Sequence, residues 1–486
     1  MSAGQSFRLL LLIAVALTGY RIWVIGHLGI DPYVDEAYYW GWSQALDWGY
    51  YSKPPVIAAM IAASEALLGH TLLALKLPAL LCYPLTALVL HALGSRMFNP
   101  RVGFWAALAF LTLPLVATLG LFVSTDAPLL MFWALGLYGL VRARESHAWR
   151  HWLLVGLAFG LGMMSKYTMI AFAGSALLVL LTEPGGRRQL LTAKPWVAFA
   201  LGVLIFTPNL WWNAHHDFPT FRHTAEITRL ESRGLAPGEF VEFIGAQWLS
   251  FGPLLTIGLL WAFLRTRRLW HDEAYRRLLL FVLPLLLLVS FQALTGRANG
   301  NWAAPVFVAA SVLVIAFLAD AGRWKLAIGA VALNAALGAV VYHLPDIARG
   351  AGFELTAKTD PYKRARGWFA LADQITPFVA AHPDAVVVAK DREMLAQVIY
   401  RLQVPYYASW NPDGGVADHY QLTTDLNRYR NRPVLFLSRT GQINEVAGRF
   451  ETVTALGEVV VPVHRNFERR VTVFLLTGFR GYPESG

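Results

Sequence analysis

The sequence is poor in cysteine and in charge. Cys82 is the one cysteine among 486 residues, so no disulfide can form within the chain. Charged residues make up 15% of the chain and hydrophobic residues 56%, whereas soluble domains are roughly 25% charged. This composition excludes an ordinary soluble fold and indicates an integral membrane protein. The formal net charge of +10 does not indicate nucleic-acid binding, because basic residues in a multi-span protein mainly set topology and attract anionic lipid.

Long apolar runs occupy the first two thirds of the chain. A span needs about 20 apolar residues. The segments that meet this need, at least approximately, are 7–26, 72–93, 102–121, 125–142, 151–165, 167–182, 195–212, 247–264, 278–294, 303–319 and 325–342. The first lacks a small-residue cleavage site and is interpreted as a retained helix. A further run at 56–68 is too short to span comfortably and is predicted to lie along, or re-enter, the outer interface.

Basic residues are unevenly distributed over the loops of this arrangement. With the N-terminus in the cytoplasm, sixteen Lys and Arg residues fall on the cytoplasmic side and eight on the other. This asymmetry follows the positive-inside rule. It places the loops that contain residues 27–71 and 213–246 on the outer face.

The composition changes near residue 345, where charged residues and turn signals return. DAVVVAK, RPVLFLS, GEVVVPV and RVTVFLL predict strands, and REMLAQVIYRL predicts a helix. We therefore expect a transmembrane domain over 1–344 and an α/β domain over 345–486 on the outer face.

The stretch 31–55, DPYVDEAYYWGWSQALDWGYYSKPP, gathers acids and aromatics in an otherwise apolar chain. Asp31 is suited to cap a short helix that runs to about residue 46, with Pro32 at its first position. That helix carries Asp35 and Glu36 in its first turns.

The two adjacent acids permit two interpretations. One carboxylate can accept a proton from an acceptor while its neighbour shapes its pKa or orients substrate. Alternatively, both acids simply complement the helix dipole. Tyr39 and Trp40 are predicted to stack over the acids as a sugar platform, although such aromatics also form interface belts.

Four further residues on the outer face can carry chemistry. Lys53 precedes two prolines and can pair with a phosphate, or it marks the interface as a snorkelling lysine. Lys166 and Arg297 can neutralise an anionic lipid head group, or they are ordinary loop cations. Asp126 either belongs to the same site or caps the fourth span.

Three motifs occur in a familiar order. The stretch VDEAYYWGWSQALDWGYYSKPP resembles the first outer loop of GT-C fold transferases, in the group of protein O-mannosyltransferases and aminoarabinose (lipid A) transferases. FVSTDAPLL and MMSKYT resemble that group's second acidic motif and its short lysine motif. The resemblance covers most of residues 1–320. It implies a mainly α, multi-pass GT-C bundle in a bacterial inner membrane, with a C-terminal periplasmic α/β domain.

The resemblance also implies a reaction and the roles of its residues. An inverting glycosyltransferase moves a sugar from a polyprenyl-phosphate donor to lipid A or lipopolysaccharide, another glycan, or a protein. Asp35 is then the catalytic base, supported by Glu36, while Lys53 binds the lipid phosphate and Asp126 helps to form the acceptor or metal-proximal part of the site. No cofactor is expected to be required. Use of a divalent metal is left as an open alternative, although the His-His-Asp run at 215–217 is not a recognised ligand pattern.

Two other functions remain as alternatives. A multi-span transporter or lipid flippase needs polar or broken helices at the membrane midplane, whereas the polar residues here cluster at one predicted face. A non-catalytic scaffold would use the C-terminal domain to bind a partner.

Overall fold

The computed structural model describes residues 2–228 and 234–482, so residues 229–233 of the predicted outer loop 213–246 lie outside the described residues. The chain forms two compact units. The first, here the membrane unit, comprises Met1–Val24 and Lys53–His343. The second, here the C-terminal unit, comprises Ile25–Ser52 and Leu344–Gly486. The segment that carries the two adjacent acids therefore groups with the C-terminal residues.

Helices dominate the first 350 residues. They are α1 (Ala3–Leu28), α2 (Val34–Ser43), α3 (Val56–Leu68), α4 (Leu72–Met97), α5 (Pro100–Thr112), α6 (Pro114–Leu119), α7 (Asp126–Ser146), α8 (Trp149–Met163), α9 (Ile170–Thr182), α10 (Gly186–Leu190), α11 (Ala193–His215), α12 (Pro219–Thr228), α13 (Pro237–Phe251), α14 (Pro253–Leu264), α15 (Thr266–Leu269), α16 (Glu273–Thr295), α17 (Val306–Asp320) and α18 (Trp324–Gly350). Short 3₁₀ turns occupy Tyr167–Met169 and Gly300–Ala303.

Local sequence explains where several of these helices begin and end. The Thr71 side chain accepts a hydrogen bond from the backbone N–H of Ala74 and caps α4. Asn99 caps α5, and Pro100 occupies the first helical position, where its missing N–H has no intrahelical role.

Two predicted spans are broken. Within the segment 102–121, one helix ends at Thr112 and another begins at Pro114. The break occurs because proline has no N–H to donate the hydrogen bond that a continuous helix requires. The segment 247–264 was predicted as one helix, but it divides at Gly252 into α13 and α14, which are bent by 109°. Gly252 has a φ of +89°, which ends α13, and Pro253 opens α14.

The protein is a multi-pass membrane protein. Within residues 2–228 and 234–482, five helices are long and apolar enough to cross a membrane, or six if the bent pair counts as one span. The five are α1, α4, α11, α16 and α18. Each of the eleven predicted segments contains a helix, but the count of eleven spans stays a prediction, as does the outer-interface placement of α3.

A buried charge cluster ties three helices of the membrane unit together. Glu183, at the end of α9, has a fully buried carboxylate. Arg277 of α16 donates to its two oxygens at 2.5 and 2.8 Å, and Arg144 of α7 donates at 3.0 Å. Two guanidinium groups compensate the charge of this carboxylate, so loss of Glu183 would leave two largely buried cations without this partner, which is costly.

The C-terminal unit contains a mixed sheet. Its elements after α18 are α19 (Trp368–Ala381), β1 (Val386–Ala389), α20 (Arg392–Leu402), β2 (Tyr407–Ser409), α21 (His419–Thr423), β3 (Val434–Ser438), α22 (Asn444–Ala447), β4 (Thr452–His464) and β5 (Phe467–Thr477), with 3₁₀ turns at Lys363–Ala365 and Leu426–Tyr429. Strand order is β2-β1-β3-β5-β4. β1 pairs in parallel with β2 and β3, whereas β5 is antiparallel to β3 and β4.

The apolar strand runs explain the core of this sheet. Val386, Val388, Val434 and Phe436 are at most 2% exposed and share one cluster with Leu476. The predicted helical bundle with a small C-terminal α/β part is confirmed, and each of the four predicted strands is present. β2 was not predicted because three residues are too few for a periodic signal.

Candidate functional site

Asp31 does not cap α2, contrary to the prediction. The N-cap of α2 is Tyr33. The Asp31 carboxylate instead accepts hydrogen bonds from the backbone N–H groups of Trp368, at 2.7 Å, and Phe369, at 3.3 Å. It therefore caps α19, a helix more than 300 residues away in sequence, because this carboxylate satisfies N–H groups that the first turn of α19 leaves open.

Asp35 and Glu36 lie in the first turn of α2, as predicted, but in different surroundings. Glu36 is fully buried, and its Oε2 accepts the backbone N–H of Tyr33 at 2.8 Å. This is the back-bonding half of a capping box. The Asp35 side chain is 43% exposed. Only Asp35 of the two can therefore readily meet a molecule from outside.

Arg392 contacts Asp35. Its Nη2 lies 3.2 Å from Asp35 Oδ1, and its guanidinium carbon lies 4.5 Å from the centre of the Tyr38 ring. Burial disfavours the charged guanidinium, but Asp35 and Tyr38 outweigh this effect, and the pKa of Arg392 is raised. Sequence reasoning did not identify Arg392, since no local pattern relates position 392 to position 35.

Arg364 is a second cation near this acid that sequence reasoning did not identify. Its Nη1 donates to the Tyr33 hydroxyl at 2.9 Å. The hydrogen bond to Tyr33 raises the pKa of Arg364, and the charge of Asp35 contributes in the same direction. The N-terminal turn of α2 is thus flanked by two guanidinium groups of the C-terminal unit.

The aromatic residues of α2 form a packed cluster. Trp42 stacks on Tyr50 with 4.7 Å between ring centres, and Tyr39 packs against Trp42 at 4.8 Å. Trp40 meets Tyr400 edge to face at 5.2 Å. Tyr39 and Trp40 are 6% and 4% exposed, so both rings belong to the core of this unit. Their predicted role as a sugar platform stays a prediction.

In the membrane unit, Asp126 forms a polar cluster with Lys166 and Asn301. Lys166 Nζ lies 2.7 Å from Asp126 Oδ1, and Asn301 Nδ2 donates to Asp126 Oδ2 at 2.7 Å. Asp126 is 1% exposed and is the first residue of α7, whose N-cap is Thr125, so the alternative role of Asp126 as the cap is wrong. The ammonium of Lys166 compensates a buried carboxylate.

The remaining predicted residues also lie in the membrane unit. Lys53 is half-buried, directly before the prolines that precede α3. Arg297 is exposed, and its backbone N–H donates to the Thr228 carbonyl at 3.2 Å. Arg297 shares a short loop with Asn301, which reaches Asp126. Phosphate binding by Lys53, Lys166 and Arg297, and acceptor binding by Asp126, stay predictions, as does metal use.

Comparison with known proteins identifies the relatives of this chain. Residues 52–212 match the family described as dolichyl-phosphate-mannose-protein mannosyltransferase. The lipid A galacturonosyltransferase of Rhizobium johnstonii is 30% identical over 436 residues, which cover 88% of this chain and 90% of that protein. The undecaprenyl phosphate-α-4-amino-4-deoxy-L-arabinose arabinosyl transferase of Pseudomonas aeruginosa is 26% identical over 353 residues, covering 65% of this chain and 60% of that protein.

The fold has a close counterpart among solved structures. ArnT from Cupriavidus metallidurans, in the apo state, aligns with a TM-score of 0.66 and 17% identity over 97% of this chain and 98% of ArnT. ArnT bound to undecaprenyl phosphate aligns similarly, with a TM-score of 0.65 and 17% identity over 95% and 97% of the two chains. With a relative at 30% identity over nearly its whole length, the chain belongs to the GT-C glycosyltransferases of the protein mannosyltransferase and lipid A sugar transferase type.

Proposed function

We propose that this protein transfers a sugar from a polyprenyl-phosphate donor to lipid A or another part of lipopolysaccharide, with inversion at the anomeric carbon. The observation that carries the proposal is the similarity to a lipid A galacturonosyltransferase along 88% of the chain. A polyprenyl-phosphate donor is supported by the name of the arabinosyl transferase and by the ligand of ArnT.

Asp35 is the proposed base of this reaction. Its half-exposed carboxylate takes a proton from the acceptor hydroxyl, whose oxygen attacks the anomeric carbon of the sugar. The bond between that carbon and the phosphate oxygen breaks, and its electron pair leaves with the polyprenyl phosphate. The role of Glu36 is indirect, since it holds the first turn of α2 from which Asp35 projects.

The leaving phosphate needs cations rather than a general acid, because it departs as a stabilised anion. Lys53, Lys166 and Arg297 are the proposed cations. The charge of Lys166 is shared with Asp126, and Arg297 is exposed. Asp126 is proposed to contribute to the acceptor side of the site.

The proposed site faces the periplasm. The distribution of Lys and Arg over the loops supports a cytoplasmic N-terminus and a periplasmic C-terminal unit.

The test is a transfer assay with purified protein in bilayers, using radiolabelled undecaprenyl-phosphate sugars and lipid A as acceptor. Wild type, Asp35→Asn and Asp373→Asn are compared. Asp373 is a matched control, because it is also a half-exposed acid paired with an arginine of α20. We expect label transfer by wild type and Asp373→Asn, and a loss of at least about 100-fold with Asp35→Asn, since a general base contributes this much.

Two results would contradict the proposal at different levels. Transfer by Asp35→Asn at the wild-type rate would remove Asp35 as the base and leave the enzyme class intact. A folded wild-type protein that transfers no sugar from a broad donor panel to any envelope acceptor would remove the proposed function, and the transporter would become the leading hypothesis.

A further inference from the structure

We propose that Arg392 is a positioning residue that holds the Asp35 carboxylate in the orientation needed to accept a proton. The proposal rests on the function proposed above and adds a residue from outside the predicted catalytic loop. Arg392 Nη2 contacts Asp35 Oδ1 at 3.2 Å. Among the described residues, Oδ2 of Asp35 has no hydrogen-bond partner, so one oxygen is oriented by the contact while the other stays available to a substrate proton.

The Arg392 side chain is itself held in place. Arg392 is the first residue of α20. Asp391 caps that helix, because its carboxylate accepts the Met394 N–H at 2.8 Å. The guanidinium lies over the Tyr38 ring, three residues after Asp35 and therefore on the same side of α2. A stacked, planar guanidinium has little freedom to rotate, which suits it to fix the direction of a partner carboxylate.

The helices on which the two side chains lie are joined by other contacts. Gln397 of α20 donates to the Pro32 carbonyl at 2.8 Å, and Tyr400 of α20 packs edge to face on Trp40. Exposed ion pairs add little to stability, and the Asp35 and Arg392 side chains are 43% and 36% exposed. These other contacts hold α20 against α2 without the ion pair. We therefore assign to the ion pair the role of orienting the Asp35 carboxylate.

Positioning of this kind has a large expected effect. A catalytic group misplaced by about 1 Å can lose on the order of 100-fold in rate. Because the contact is to the base and not to the donor or the acceptor, its loss should lower kcat with KM nearly unchanged.

Arg392→Gln, Arg392→Lys and Arg401→Gln are the variants that test this role. Arg401 is the matched control, because it lies on the same helix in a half-exposed ion pair with Asp373. We measure kcat and KM for donor and acceptor, thermal unfolding, and the response to millimolar guanidinium ion. For Arg392→Gln we expect kcat to fall at least about 10-fold with KM changed less than about 3-fold. Arg401→Gln should match wild type, and all variants should unfold at similar temperatures.

Rescue separates positioning from a structural role. Arg392→Lys should keep part of the activity, because a point charge still attracts the carboxylate without the planar stacking. Guanidinium ion should restore part of the kcat of Arg392→Gln and leave Asp35→Asn inactive.

The proposal falls if Arg392→Gln keeps wild-type kcat while Asp35→Asn is inactive, a result that leaves the proposed function standing. It also falls if Arg392→Gln loses kcat and thermal stability together, and if neither the Arg392→Lys variant nor added guanidinium ion recovers any kcat. A wild-type protein without transfer activity would overturn the proposed function itself.

Discussion

At the scale of single residues, Asp35 and Glu36 are neighbours with opposite surroundings. Successive side chains on a helix point about 100° apart, so one of two adjacent residues can face the core while the other faces outward. Glu36 is fully buried and bonded to the helix N-terminus, whereas Asp35 is 43% exposed and paired with Arg392. The pair therefore combines a structural carboxylate with one that is accessible for chemistry.

Substitution of Glu36 should separate capping from chemistry. Glu36→Gln retains an oxygen that accepts the Tyr33 N–H, so we expect near-wild-type stability and transfer. Glu36→Ala leaves that N–H without its partner and should cost about 1 kcal/mol of stability, with a fall in transfer because Asp35 shares the same turn. Thermal unfolding and the transfer assay measure both effects. If Glu36→Gln is as inactive as Asp35→Asn at unchanged stability, Glu36 takes part in the reaction directly.

The sequence was sufficient to predict the acids but not all of their partners. Two adjacent carboxylates before an aromatic helix form a local pattern, and the predicted first-turn placement is confirmed. Arg392 lies 357 residues from Asp35, and Asp31 meets Trp368 337 residues away. Contacts at such separation leave no periodic signal in one sequence, so Asp31 was assigned to the nearest helix.

At the scale of elements, the bend at Gly252 depends on the absence of a side chain. A Cβ at this position would lie 1.9 Å from Asn334 Oδ1, and Asn334 Nδ2 in turn donates to the Phe251 carbonyl at 3.1 Å. The combination of a positive φ, a following proline and a buried amide turns one apolar run into two helices.

Gly252→Ala should therefore destabilise the protein. We expect a loss of more than about 1 kcal/mol, because alanine disfavours positive φ and its methyl group would collide with Asn334. Gly245→Ala is the matched control within α13, where an added Cβ meets nothing within 4 Å and alanine favours the helix. Thermal unfolding in the same detergent compares them. Equal stability of the two variants would argue against this bend.

Element length decided which predictions succeeded. The amphipathic run at 392–402 was predicted as a helix and is α20 with the same bounds. The run 247–264 was judged on hydropathy, which does not detect a change of direction, although Gly252-Pro253 is a recognisable break signal. The three residues of β2 were too few to recognise.

At the scale of the whole molecule, the proposed orientation can be tested by labelling. Asp413 in the C-terminal unit and Arg188 in the short helix α10 are both exposed, whereas Cys82 is fully buried. We expect a membrane-impermeant maleimide to label Asp413→Cys in spheroplasts, and to label Arg188→Cys only after the membrane is permeabilised.

The wild-type protein, whose one cysteine is the buried Cys82, is the control for background labelling and should stay unlabelled. The reverse pattern, with Arg188→Cys labelled in sealed spheroplasts, would place the C-terminal unit in the cytoplasm and remove the periplasmic site.

The pairing of residues 25–52 with the C-terminal residues has a consequence for biosynthesis. The chain is made from its N-terminus at roughly 5–20 residues per second, so this segment leaves the ribosome on the order of tens of seconds before α20 exists. Throughout that interval Trp40 lacks Tyr400, and Asp35 lacks Arg392. A nascent chain that stalls before residue 392 therefore contains both acids without the residue proposed to orient Asp35, and the assembled acid site is among the last features that translation completes.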